Sequence, residues 1–181
     1  MKKLASGLFL LLLTGCESYG VVRYEPGLEN NLALRQLPPA DAKVALAGAP
    51  VAFDSKCRSA GYMVLPGGMS IDAFVEDALQ RELKLAGLDH GPAVPVSLHV
   101  DEASFSTNET GWAGYWSLAA TLTGPNGSVV RESVRYPFQA TYWADSACRQ
   151  AAQELGPATR QLVGQIARSP GLAAMMAEGQ R

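Results

Sequence analysis

Ser97, His99 and Asp101 place a nucleophile, a base and a carboxylate within five residues. These are the side-chain types of a hydrolytic triad. Val94, Val96, Leu98 and Val100 alternate with them, so the spacing predicts a strand with one buried face. Residues two apart on a strand lie about 6.6 Å apart at Cα and project in parallel. A working triad needs converging groups at about 2.6–3.2 Å. The pattern therefore reads as a solvated sheet face, and a hydrolase would need these three side chains to converge with outside help. No Gly-x-Ser-x-Gly elbow occurs to supply that help. His90 and His99, the two histidines, each have an aspartate near (Asp89, Asp101), whereas a zinc site needs three or four converging ligands. Gly67-Gly68 precedes a helix without the lysine of a phosphate-binding loop. The chain reads as non-enzymatic, with no metal and no cofactor.

The cysteines carry more. Met1-Lys2-Lys3 is followed by an apolar stretch from Leu4 to Leu13, too short for a spanning helix, which takes roughly 20 residues. Leu13-Thr14-Gly15-Cys16 resembles a bacterial lipobox. The resemblance implies that residues 1–15 are a signal peptide and that Cys16 becomes an acylated N-terminus, a palmitate-type anchor in which each buried methylene contributes about 0.8 kcal/mol. Glu17 follows the cysteine in place of aspartate. By resemblance to enterobacterial lipoproteins, this implies sorting to the outer membrane, on its periplasmic face. Cys57 and Cys148 then remain as a pair in an oxidising compartment, where a disulfide is expected. Closing so long a loop would contribute about 4.6 kcal/mol in the chain-entropy account. A reactive thiol or a metal pair are the competing readings, and neither has supporting neighbours.

The 181 residues suit one domain with a sizeable core. The net charge of -2, or -4 once Lys2 and Lys3 are removed, gives no basic footprint for nucleic acid. Residues 16–42 contain Pro26-Gly27, Asn30-Asn31 and Pro38-Pro39 without clear periodicity, and read as a lipidated end followed by a flexible tether. Its reach would be about 28 Å. A domain over 43–170 follows, then a tail over 171–181. Within the domain, Lys43–Phe53 reads as a strand and Asp54–Gly68 as a loop. Ser70 opens an amphipathic helix that Gly87 closes. Strands follow over 94–100, with a bulge near Asp101–Glu102, then 116–122 and 130–138 around Gly124-Pro125-Asn126-Gly127. Asp145 or Ser146 caps a helix to Leu155, Pro157 restarts or kinks it, and Ser169-Pro170-Gly171 stops it. The order β-α-β-β-β-α predicts an α+β fold, an antiparallel sheet of about four strands with two main helices on one face.

Phe53-Asp54-Ser55-Lys56-Cys57-Arg58, Gly68-Met69-Ser70, Glu82-Leu83-Lys84-Leu85-Ala86-Gly87, Phe105-Ser106, Trp116, Asn126-Gly127, Ala147-Cys148 and Ser169-Pro170 resemble an uncharacterised family of proteobacterial lipoproteins. The resemblance covers about residues 53–170 and implies no activity. In layout the chain is distantly similar to YajG-type and lipopolysaccharide-assembly outer-membrane lipoproteins, whose domains act as partners or scaffolds. Trp116, Tyr136 and Phe138 share the inward phase of the strands, whereas Trp112, Tyr142 and Trp143 fall in loops, where large aromatics mark contact surfaces or cover core ends. The expected function is to bind an envelope protein or support envelope assembly. The alternative is a lipid or glycolipid ligand held between helix and sheet.

Overall fold

The computed structural model describes residues 17–109 and 112–178. The signal segment 1–15, Cys16, residues 110–111 and the last three residues lie outside the described residues. In chain order the elements are β1 (Glu17–Gly20), α1 (Leu28–Leu34), β2 (Asp41–Leu46), β3 (Lys56–Cys57), β4 (Gly61–Val64), α2 (Ile71–Leu85), β5 (Ala93–Glu109), β6 (Ala113–Thr123), β7 (Val129–Gln139), α3 (Ala144–Arg168) and α4 (Pro170–Glu178).

The fold is α+β, as the element order implies, with two differences in the sheet. Strands β2-β5-β6-β7 form the main sheet, and β2 pairs with β5 in parallel rather than antiparallel. Helix α2 lies between these two strands in sequence and supplies the crossover that parallel neighbours need. A second sheet, β1-β4-β3, occupies part of the stretch expected to be loop. The hairpin β6–β7 forms as expected, with Gly127 N–H donating to the Gly124 carbonyl at 3.1 Å. The bulge on β5 falls between Val100 and Glu102, where the register against β6 shifts. That shift moves the buried phase from even-numbered residues to Ala103.

Helix α2 packs on β2 and β5, and α3 lies across β5, β6 and β7. Phe74, Leu79, Leu98, Trp116, Leu118, Leu122, Leu155, Leu162 and Ile166 fill the space between. Ser70 caps α2 by accepting from Ala73 N–H at 3.2 Å, and Gly87 takes φ +83°, the left-handed turn that ends a helix. Helix α3 runs unbroken through Pro157, so the expected restart does not occur, and its N-cap is Trp143 rather than Asp145 or Ser146. The carbonyl that Pro157 leaves unpaired belongs to Gln153, an exposed position where water can serve it. The stop at Ser169-Pro170 holds. Beyond it α4 buries Leu172, Met175 and Met176, so the described part of the expected tail is packed structure.

The tether is the largest correction. Tyr19, Val21 and Tyr24 are buried, and β1 begins at Glu17 by pairing in parallel with β4. Helix α1 turns Asn30, Asn31 and Leu34 inward and leaves Leu28 and Leu32 exposed at 75% and 55%, the reverse of the usual pattern. Buried Glu82 on α2 explains the inversion. Its Oε1 accepts from Tyr24 Oη at 2.6 Å, Gly27 N–H at 2.7 Å and Asn30 Nδ2 at 3.1 Å. Asn30 also donates to the Arg160 carbonyl at 2.9 Å. One buried carboxylate thus latches residues 24–30 onto the helical layer.

Candidate functional site

Trp112 lies just before β6, Tyr142 follows β7 and Trp143 caps α3, so three elements converge on one corner. Ala140 N–H donates to the Trp112 carbonyl at 2.7 Å, carrying the β6–β7 ladder one step past the Ala113–Gln139 pair. Thr141 Oγ1 donates to the Trp143 carbonyl at 3.1 Å and fixes the turn into α3. The rings then form an edge-to-face chain. Trp112 and Tyr142 meet at 5.1 Å and 87°, Tyr142 and Trp143 at 5.5 Å and 79°. Such pairs contribute about 0.5–1.5 kcal/mol beyond their buried area. All three stay exposed, at 49%, 65% and 71%. Trp112 holds φ +62°, a conformation that costs a residue with a Cβ roughly 1–2 kcal/mol.

Arg58 locks this corner from below. Its guanidinium donates to the Tyr142 carbonyl at 2.9 Å, to Thr107 Oγ1 at 2.9 Å, to the Thr141 carbonyl at 3.2 Å and to the Thr107 carbonyl. A planar fork with five donors spread over three nitrogens reaches acceptors on several sides at once, whereas a lysine offers three donors from a single nitrogen. The residue before it, Cys57, is bonded to Cys148 across a Cα separation of 5.8 Å. The disulfide therefore ties β3 to the first turns of α3, directly behind Trp143. Of the aromatics expected to face inward, Trp116 and Phe138 are core and Tyr136 is half-buried. Trp116 Nε1 donates to the Ala151 carbonyl at 2.9 Å, and Tyr136 Oη donates to Glu154 at 3.2 Å.

The start of the described chain reaches the same corner. Glu17 pairs with Gly61, and Gly61 pairs with Cys57. A Cβ on Gly61 would overlap the Glu17 carbonyl oxygen, so only glycine allows this approach. On its outer side Glu17 lies 3.8 Å from Arg149, which bonds Asp145 at 3.0 Å. Hydrogen bonding from Arg149 holds the Asp145 carboxyl below its usual range. Burial pushes the Tyr19 phenol up, and the nearby carboxylates of Glu17 and Asp145 push it further.

Ser97, His99 and Asp101 do not assemble. His99 Nδ1 is 3.0 Å from the Ala47 carbonyl, and its Nε2 lies 3.9 Å from Asp101. Asp101 accepts from Thr121 Oγ1 at 2.6 Å, Thr121 Oγ1 accepts from Arg131, and no hydrogen bond joins Ser97 to His99. His90 pairs with Asp89, its sequence neighbour. Sequence reasoning missed Arg58, Thr107, Thr141 and Glu82, because each acts through contacts distant in the chain. The one legible signal was the Tyr19/Val21 alternation just after Cys16.

No family model and no curated protein sequence matches the chain. Among solved structures it is similar to a Xanthomonas campestris protein of family-model DUF330, at 12% identity and TM-score 0.47, covering 91% of this chain and 97% of that one. It is also similar to a "putative lipoprotein" from Caulobacter crescentus CB15, at 16% identity and TM-score 0.39, covering 84% and 98%. A PelC dodecamer from Paraburkholderia phytofirmans matches at 16% identity and TM-score 0.35, covering 84% and 93%.

Proposed function

We propose that this chain is a non-catalytic lipoprotein of the bacterial outer membrane, held on the periplasmic face through an acylated Cys16, whose domain docks another envelope protein and so supports envelope assembly. The observation that carries this reading is the junction at residue 17. The lipobox-like Leu13-Thr14-Gly15-Cys16 ends where β1 begins, so an anchor there feeds straight into the folded domain. The end remote from that junction offers the partner surface. Between β2 and α2 lies an open cleft of about 560 Å³ bordered by Asp41, Lys43, Asp77, Gln80, Arg81 and Lys84. Charges of both signs beside an edge strand suit a polar protein surface.

The test is fractionation with palmitate labelling of the wild type and Cys16→Ser. The wild type is expected to take the label and band with outer membranes, and the variant to be released, folded and unlabelled. Retention of the variant in the membrane fraction would overturn the reading.

A second reading, lipid or glycolipid binding, is favoured by one cleft of about 360 Å³ whose lining includes Val51, Phe53, Met63, Leu65, Met69 and Ile71. That volume falls at the low end for small-molecule sites and fits part of an acyl chain. Lipid found by mass spectrometry to co-purify with the Cys16→Ser protein, and lost on the change Val64→Asp at an exposed lining position, would support it.

A further inference from the structure

We propose that Trp112, Tyr142 and Trp143 insert into the headgroup region of the bilayer leaflet that holds the acyl chains of Cys16, and so fix the orientation of the domain on the membrane. The proposal rests on the acylation of Cys16 given above and names the occupant of the aromatic corner.

Two independent paths bring the anchor to that corner. Glu17 touches Arg149, Arg149 holds Asp145, and Asp145 is two residues beyond Trp143. On the other side Glu17 pairs with Gly61, Gly61 with Cys57, and the adjoining Arg58 grips the Tyr142 carbonyl. Two strand spacings amount to about 10 Å. Cys16 directly precedes Glu17 in sequence, so acyl chains attached there would start within about 15–20 Å of the exposed rings. Among the described residues none forms a tether that could lift the corner off the membrane, because the stretch expected to do so packs onto the domain through Tyr19, Val21, Tyr24 and Leu34.

Chemistry and size favour lipid over a protein at this corner. Tryptophan and tyrosine, with an apolar body and one polar edge, are the residues of membrane–water interfaces. The carboxylates nearest the corner, Glu17 and Asp145, share Arg149, which offsets one of their two charges beside a lipid surface. Three half-exposed rings offer roughly 300–450 Å², about half of what one partner buries in a stable protein interface. Several acyl chains already supply the affinity, so the rings' contribution is orientation: they direct the cleft between β2 and α2 away from the bilayer. Measured along β5, that cleft stands roughly 35–50 Å from the corner.

The test uses the full protein extracted from membranes and reconstituted into phosphatidylethanolamine/phosphatidylglycerol vesicles carrying brominated phosphatidylcholine. Trp116 is buried and the other two indoles sit at the corner, so the floated wild type is expected to lose about half of its tryptophan emission to the bromines. Trp112→Phe/Trp143→Phe, which keeps only Trp116, is expected to show little loss. Unquenched emission from floated wild type would overturn the proposal and leave the corner to a protein partner. Failure to float would instead strike the acylation reading. The same measurement, after coupling a maleimide phospholipid to the Cys16 thiol, then decides the aromatic corner on its own: quenching upholds it and full emission overturns it.

Discussion

Glu17 Oε1 lies 3.8 Å from Arg149 Nη2, and Arg149 holds Asp145 through contacts of 3.0 and 3.1 Å near the start of α3. These groups are exposed, so the ion pairs themselves contribute little to stability. Their meaning is positional. The residue that follows Cys16 is fixed against the helix that Trp143 caps, and the first strand is part of the domain it was expected only to tether.

Gly61→Ala is expected to lower stability by about 1–3 kcal/mol, since a methyl there overlaps the Glu17 carbonyl and pushes β1 off β4. Tyr19→Ala, which empties a buried aromatic site, should cost about 3–5 kcal/mol. Both are read by urea unfolding. If residues 17–42 were a tether, neither substitution would move the midpoint.

Cys57→Ser and Cys148→Ser should lower the melting temperature by similar amounts under oxidising conditions, with an upper bound of about 4.6 kcal/mol from loop closure. Calorimetry of both variants, with and without reductant, checks this. Under reductant the wild type should approach the variants.

Arg58→Lys is expected to cost about 1–3 kcal/mol, because donors on a single ammonium nitrogen do not reach the Thr107, Thr141 and Tyr142 carbonyls from several sides at once. Amide exchange at Ala140 and around Tyr142 should quicken in the variant while β2 and α2 stay protected.

Glu82→Ala removes the acceptor shared by Tyr24, Gly27 and Asn30 and should destabilise by about 3 kcal/mol, with Glu82→Gln, which keeps one carbonyl oxygen, losing less. Burial and the Glu82 carboxylate push the Tyr24 phenol far above its ordinary 10, and burial also raises Tyr19. Above pH 10 the unfolded phenols release protons that the folded ones keep. The folded state then binds more protons, and stability falls, by about 1.4 kcal/mol per pH unit through Tyr24 alone. Alkaline unfolding of the wild type, and a shallower fall in Tyr24→Phe, are the expected readings.

Local patterns were legible and distant ones were not. The cap at Ser70, the turn at Gly124–Gly127 and the bulge after Val100 each rest on a few neighbouring residues, and the structure carries all three. The pairing of Cys57 with Cys148 follows from counting thiols in a chain expected to be exported. The parallel β2–β5 pairing is implicit in a strand–helix–strand order, but the hairpin that follows points to an antiparallel sheet. Helix α1 was illegible because it buries two asparagines and exposes two leucines, a choice that makes sense only beside Glu82 and the Arg160 carbonyl. The three loop aromatics were named from the sequence, but their meeting at one corner depends on Arg58, whose partners lie about 50 and 85 residues away.

The proposed acylation of Cys16 is most directly tested by the intact mass of the protein extracted from the envelope, with fragmentation of its first residues. The account expects a chain starting at Cys16 that carries a thioether-linked diacylglyceryl group and an amide-linked fatty acid. An unmodified Cys16, or a chain beginning at another residue, would contradict it.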